Sequence, residues 1–268
     1  MFPGFEFGRK STKTGIGVNY VNRKHIGCKT KIHDAGYKGR LQIVCKMMPA
    51  ADKSTLKKSF VKSNEEIAPG VFLLKYKRDF SFVPGQVVGI TLDEALPPRM
   101  YSITSGMQDE DIWILFNIRP QGKLTPPLSE VNAGDTILTT EPSGNFFGTA
   151  KPSTWIASGT GIAPFVSMWR SGLKKNKSLI HGGRFLHSFY FENEFKDALG
   201  KDFIRCCSQE PAEGVYHGRL TAWLKAQDNL PPNRKYYLCG SAEMVVDTRD
   251  LLIEKGIPYE NILAEIYF

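Results

Sequence analysis

Several short constellations in this 268-residue chain carry side chains that can do chemistry. Gly159-Thr160-Gly161 lies between the apolar run STWIAS and the segment IAPFVSMWRSGL. Glycines between a strand and a helix let the backbone approach a pyrophosphate, and the helix start offers N–H groups and the positive end of its dipole. Only part of the GxGxxG pattern is present, so taken alone the turn reads equally well as structural. Arg99-Met100-Tyr101-Ser102 follows a Pro97-Pro98 turn. An arginine can hold a phosphate with two parallel bonds, and a tyrosine two residues on shares its strand face and offers a flat ring. In isolation the plainer reading, a surface arginine and a core tyrosine, wins. Gly122-Lys123-Leu124-Thr125 can surround a second phosphate with a cation and a hydroxyl, against the alternative of a solvated turn. Cys239 ends the run KYYLCG just before Gly240, at the strand end where open parallel sheets bind ligands; a buried structural cysteine is the alternative. The last residues, Ala264-Glu265-Ile266-Tyr267-Phe268, place an acid and two aromatics on a terminal strand, where sheet-edge packing is the competing account.

Two grammars position these residues. From residue 58 to about 150 the chain reads as short strands and turns. In DIWILFNIRP, Ile112, Ile114, Phe116 and Ile118 fall on one face, with Trp113, Leu115 and Asn117 on the other. VFLLKY, the stretch around Pro84-Gly85, RMYS and GDTILTTEP supply further strands, so this half predicts a small antiparallel barrel. After residue 150 strands alternate with helices: STWIAS, IAPFVSMWRSGL, SLIHGG, FENEFKDAL, DFIRCCS, LTAWLKA, KYYLCG, AEMVVDTRDLLIEKG, NILAEIYF. Pro164 sits in a first helical turn, where its missing N–H does no harm. That alternation predicts βαβ units and a parallel sheet in an α/β domain. The expected division is 1–53 as an irregular extension, with a hairpin near Leu41–Val44 as its competitor, 54–150 as the barrel and 151–268 as the α/β domain.

Charge and composition narrow the function classes. The net charge of +8 resides in residues 1–53, which hold eleven basic and three acidic side chains; the remainder is balanced. A nucleic-acid role would rest on that extension alone and has no groove-reading motif. Met47-Met48 offers an internal start that would remove most of it. No apolar run is long enough to span a membrane, and no apolar leader precedes residue 54. The five cysteines, Cys28, Cys45, Cys206, Cys207 and Cys239, include no CxxC or ferredoxin-like spacing. An odd count without a leader argues for a reducing, cytoplasmic compartment, and no metal site is expected.

The order of the pieces is more specific than any one of them. RMYS, GKLT, GTGIAPF, HGGR, YYLCGSAEM and a terminal AEIYF resemble, over roughly residues 56–268, the ferredoxin–NADP reductase family, in particular its bacterial ferredoxin/flavodoxin–NADP reductase branch. The resemblance implies an antiparallel barrel binding FAD, followed by a five-stranded parallel domain binding NADP(H). It implies that Arg99 holds the FAD phosphates, with Met100 beside it. Tyr101 would stack on the isoalloxazine, and Ser102 would sit near its reactive nitrogen. Ile118, Gly122, Lys123, Leu124 and Thr125 would line the FAD pyrophosphate. Gly159, Thr160, Gly161 and Gly240 would meet the nicotinamide dinucleotide, and Cys239 would lie beside the nicotinamide. Glu265 would be an acid near the redox centre, with Tyr267 and Phe268 as covering aromatics and Tyr267 as a gate. The implied partner is a transiently bound, acidic ferredoxin or flavodoxin, and the chain would act as a monomer.

One departure bears on the nucleotide. Where NADPH-preferring members carry Ser-Arg after the third parallel strand, this chain has Ser208-Gln209. Arg184 and Arg219 remain as guanidinium groups for a 2′-phosphate, so NADPH is favoured. The runner-up is an NADH-dependent reductase component of an oxygenase system, for which Gln209 speaks. A non-enzymatic flavoprotein is disfavoured by the intact Ser102, Cys239 and Glu265 set. The pyrimidine-pathway electron-transfer subunit is disfavoured by the missing C-terminal cysteine cluster.

Overall fold

The computed structural model describes residues 56–267; the expectations for 1–53, for Leu41–Val44 and for Phe268 lie outside them. The first half contains β1 (Lys57–Ala68), β2 (Val71–Lys77), β3 (Val87–Thr91), β4 (Arg99–Ser102), β5 (Asp111–Asn117), a short helix α1 (Thr125–Ser129) and β6 (Thr136–Thr139). These strands form one sheet in the order β4-β3-β6-β1-β2-β5, with every neighbouring pair antiparallel. A backbone bridge between Ile103 and Ile114 joins its two ends, which makes it a barrel. The alternation of β5 decides what lies where. Ile112, Ile114 and Phe116 enter the barrel core with Val88, Ile90, Ile103 and Ile137. Leu115, on the other face, packs with Trp155, Phe165 and Val166 of the second half.

Two elements of the barrel were not singled out by the sequence patterns. β1 is a long strand without sustained apolar alternation: it sets Lys57 beside Lys58 and Glu65 beside Glu66, and it carries two register shifts against β2. The segment that follows Gly122-Lys123-Leu124 forms α1, whose prolines lie in the first helical turn, where no intrahelical N–H is needed.

The second half runs β7 (Ser153–Ser158), a 3-10 turn (Gly159–Ile162), α2 (Ala163–Arg170), β8 (Lys177–Gly183), α3 (Glu192–Leu199), β9 (Phe203–Cys207), β10 (Tyr216–His217), α4 (Leu220–Lys225), β11 (Lys235–Ser241), α5 (Ala242–Glu254) and β12 (Ile262–Tyr267). The sheet order is β10-β9-β8-β7-β11-β12, all parallel. The five expected strands are joined by the two-residue β10 at the edge. From β7 the chain first builds outward through β8 and β9, then returns to place β11 on the other side of β7. Strand order therefore reverses at β7, which opens a crevice at the carboxyl ends of β7 and β11. No helix among the described residues is long and apolar enough to cross a membrane.

The two halves are also tied by polar contacts. Arg170 of α2 reaches Asp109 with two bonds of 2.8 Å, meets Glu194 at 2.9 Å, and lies 4.2 Å from the Trp113 ring. Ser167 Oγ donates to the Ser105 carbonyl at 2.7 Å. Burial would raise the Asp109 carboxyl, but hydrogen bonds from Arg170 and Gly106 and the charges of Arg170 and Arg78 outweigh it and hold the group below its ordinary value. Because Leu115 is 4% exposed in the core shared by both halves, Leu115→Ala is expected to lower unfolding free energy by about 2–5 kcal/mol. Denaturant titration checks this; a change under about 0.5 kcal/mol, typical of surface positions, would contradict the shared core.

Candidate functional site

The crevice is built by close backbone approach. A Cβ placed on Gly161 would stand 2.3 Å from the Cys239 carbonyl oxygen, so only glycine lets the 3-10 turn lie against the end of β11. Gly240 has φ +147, and a Cβ there would stand 2.2 Å from Ser158 Oγ. Gly159 takes the left-handed φ of +52 and has nothing within 4 Å of a Cβ position, so the backbone of the turn is open on that side. Thr160 is half-buried between the two glycines.

Across from this turn the barrel contributes β4. Alternation turns Ser102 inward, where it is 2% exposed, while Arg99 is exposed and Tyr101 half-buried. Ser102 Oγ donates to Glu265 Oε2 at 2.7 Å, a bond between residues 163 apart in sequence. β11 and β12 pair in register Cys239↔Glu265, and Cys239 Sγ lies 4.0 Å from the same Oε2. Glu265 Oε1 is buried with no hydrogen-bond partner among the described residues. Burial pushes the Glu265 carboxyl up to about 7, the Ser102 bond partly offsetting it. The cluster therefore holds an acid that exchanges its proton near neutrality. Burial also pushes the Tyr101 phenol up to about 12, with Arg99 opposing, and its ring meets Phe116 edge-on at 6.4 Å.

The remaining expected residues fall in three places. After β5, Ile118 N–H donates to the Gly70 carbonyl at 2.8 Å, and Gly122 N–H to Arg119 at 2.7 Å. Leu124 packs against the barrel core. The Thr125 hydroxyl accepts from Arg119 N–H at 2.8 Å, so it shapes the loop, while Lys123 is exposed. Met100 pairs with Gly89 across the barrel strands. At the carboxyl ends of β8 and β9, Ser208 N–H donates to Gly183 and Gln209 N–H to the Arg184 carbonyl, at 3.1 and 3.0 Å. Gly218 N–H donates to the Cys207 carbonyl at 2.7 Å and sets Arg219 at the start of α4, where its guanidinium meets Glu243 at 3.2 Å. Tyr267 is placed by its register opposite Ser241. Among the described residues no group of His, Cys, Asp or Glu could hold a metal ion.

Two participants escaped the sequence reading. His181 lies fully buried beneath the turn with Nε2 3.1 Å from the Gly159 carbonyl oxygen, and its only sequence signal is an imidazole inside the apolar run SLIHGG. Glu243, the partner of Arg219, is one acid among several on α5 and carries no signal in sequence.

Residues 155–250 match the family model described as an oxidoreductase NAD-binding domain. Over 194 residues the chain is 27% identical to the flavodoxin/ferredoxin–NADP reductase of Escherichia coli (strain K12), covering 63% of this chain and 77% of that protein. It is 23% identical over 233 residues to the toluate 1,2-dioxygenase electron transfer component of Pseudomonas putida, covering 83% of this chain and 69% of that one. A ferredoxin NADP+ reductase from Neisseria gonorrhoeae, crystallised with bound FAD and NADP, superposes with a TM-score of 0.71 over 80% of this chain and 99% of that one, at 22% identity. That last match is a likeness of fold.

The buried carboxyl generates a pH prediction. Its folded value of about 7 lies above the ordinary 4.5, so the native state binds the proton more tightly than the unfolded chain. The group's contribution is complete below about pH 4.5 and is lost as pH rises through 7, by about 3 kcal/mol in all. Glu265→Gln, which stays neutral, should gain stability relative to the parent between pH 5 and pH 8. Parallel melting curves check this, and an identical pH profile in both proteins would contradict a neutral buried carboxyl.

Proposed function

The chain belongs to the ferredoxin–NADP reductase family of oxidoreductases, and from that premise we propose that it is an FAD-dependent reductase exchanging hydride with NADP(H) and single electrons with a separate ferredoxin or flavodoxin. The observation that carries the reading is the Ser102–Glu265–Cys239 cluster, set where the barrel strand β4 meets the crevice beside Gly159–Gly161. The residues fit the two groups. Arg99 is exposed and makes no ion pair among the described residues, the turn backbone is open at Gly159, and Glu265 Oε1 is a buried polar atom with no hydrogen-bond partner among the described residues.

FAD, when bound, accepts two electrons together and releases them singly. Arg99 and Lys123 would hold its phosphates, with Met100, Ile118, Gly122, Leu124 and Thr125 shaping the walls. Tyr101 offers its ring face and keeps its phenol proton. Gly159, Thr160, Gly161 and Gly240 would admit the dinucleotide pyrophosphate. Cys239, fully buried, would exclude water beside the nicotinamide. Ser102 donates to Glu265, which holds or yields a proton near neutral pH. By the resemblance, Tyr267 would be the gate and Phe268 a covering aromatic. The carrier is a transiently bound acidic protein, and the chain acts as a monomer in the cytoplasm.

Arg184, Ser208 and Arg219 would receive the 2′-phosphate. Two observations favour a second reading, an NADH-dependent reductase component of an oxygenase system. Gln209 brings no charge to that corner, and Arg219 is already engaged by Glu243 at 3.2 Å. An exposed ion pair of this kind is weak and yields to a phosphate dianion, so NADPH remains the proposed donor.

Steady-state reduction of ferricyanide with NADPH and with NADH, on protein whose released flavin is identified, tests the reading. FAD and a preference for NADPH are expected, and Arg219→Ala should raise the KM for NADPH about ten-fold, as loss of a charge-assisted bond implies, with NADH nearly unaffected. Released FMN would overturn the flavin assignment. A parent protein that uses NADH better would put the oxygenase reductase reading first.

A further inference from the structure

His181 has no part in the reading above, yet it occupies an expensive position. It lies on β8 in register with Ala157 of β7, is fully buried, and meets the rings of Phe189 and Tyr190 edge-on at 5.5 and 6.5 Å. Its Nε2 stands 3.1 Å from the Gly159 carbonyl oxygen, and its Nδ1 is buried with no partner among the described residues. A carbonyl oxygen only accepts, so Nε2 carries the hydrogen and Nδ1 is the bare acceptor. An aliphatic side chain would fill this apolar site without stranding an acceptor. What the imidazole adds is one hydrogen bond to Gly159.

That bond fixes the orientation of a peptide plane. The described chain contains no cis peptide, and in a trans peptide the carbonyl and the following N–H point in opposite directions. With the Gly159 carbonyl drawn down onto the buried ring, the Thr160 N–H is turned away from the ring and out of the turn. Gly159 itself sits at φ +52, a conformation that glycine leaves easily unless something holds it. The 3-10 turn engages that carbonyl only through its own i→i+3 bonding, and the imidazole adds a second, buried bond from outside the turn that opposes a flip presenting the oxygen, which repels an anion.

We propose that His181 is a positioning residue that holds the Gly159–Thr160 peptide with its N–H, rather than its carbonyl, offered to the pyrophosphate of the pyridine dinucleotide. The proposal rests on the reading of this turn as the dinucleotide site. Burial keeps the imidazole neutral, down to about 4, the Gly159 bond partly opposing, so the arrangement persists across the working pH range.

The test uses the full chain with flavin bound. Amide shifts of Gly159, Thr160 and Gly161 on addition of NADP+ to the parent protein come first; their absence would overturn the turn as dinucleotide site and the proposal with it. With those shifts present, calorimetry compares ADP-ribose, which carries a pyrophosphate, with 2′-AMP, which does not. His181→Leu should weaken ADP-ribose about ten-fold and leave 2′-AMP unchanged, and His181→Gln, which keeps a donor at that reach, should restore most of the loss. In turnover, the leucine variant should raise KM for NADPH and NADH alike at unchanged kcat. Equal losses for both probes, or none, would overturn the positioning role while leaving the site reading intact. Should the leucine variant fail to fold, long-range 1H–15N spectra of the parent decide. Hydrogen on Nε2 and a ring neutral at pH 6 are expected, and hydrogen on Nδ1, or titration near 6.5, would overturn the proposal.

Discussion

The Ser102–Glu265 hydrogen bond is the contact on which the site depends. It is 2.7 Å long, buried, and joins a four-residue barrel strand to the last strand of the parallel sheet. Neither half alone could keep Glu265 in so dry a place. Burial desolvates the carboxyl, and the hydrogen bond from Ser102 of β4 offsets part of that cost. Its second oxygen is left without a partner among the described residues, a strain that proteins retain mostly at functional sites.

The rest of the fold serves that meeting. The reversal of strand order at β7 opens the crevice, and the missing side chain at Gly161 lets the turn press against the Cys239 carbonyl. The Leu115 face of β5 gives the two halves a common core, and the partly buried Arg170–Asp109 pair, stacked on Trp113, adds a second tie between them. Such a two-bonded arginine fixes direction as well as distance, which matters where a misplacement of about 1 Å slows hydride transfer by orders of magnitude.

Much of this was readable in advance, for physical reasons. The alternation of DIWILFN put Ile112, Ile114 and Phe116 on one face and Leu115 on the other, because side chains alternate along a regular strand, and the two faces enter two different cores. The strand–helix alternation after residue 150 gave the parallel sheet, and the expected trio Ser102, Cys239 and Glu265 is brought into one cluster. What escaped was set by distance in space rather than pattern in sequence. β1 is broken by bulges that period-two counting cannot follow. The use of Thr125 by Arg119, the pairing of Arg219 with Glu243 and the burial of His181 under Gly159 each depend on which loop folds back onto which.

The central claim is that Cys239, Ser102 and Glu265 surround the path of the hydride. Its most direct test is rapid mixing of the flavin-loaded protein with excess NADPH while flavin absorbance is followed. The account predicts that Cys239→Ala slows flavin reduction at saturating NADPH by at least ten-fold while the dissociation constant for NADP+ changes little, because the loss falls on geometry at the transition state. A reduction rate equal to that of the parent protein would contradict it.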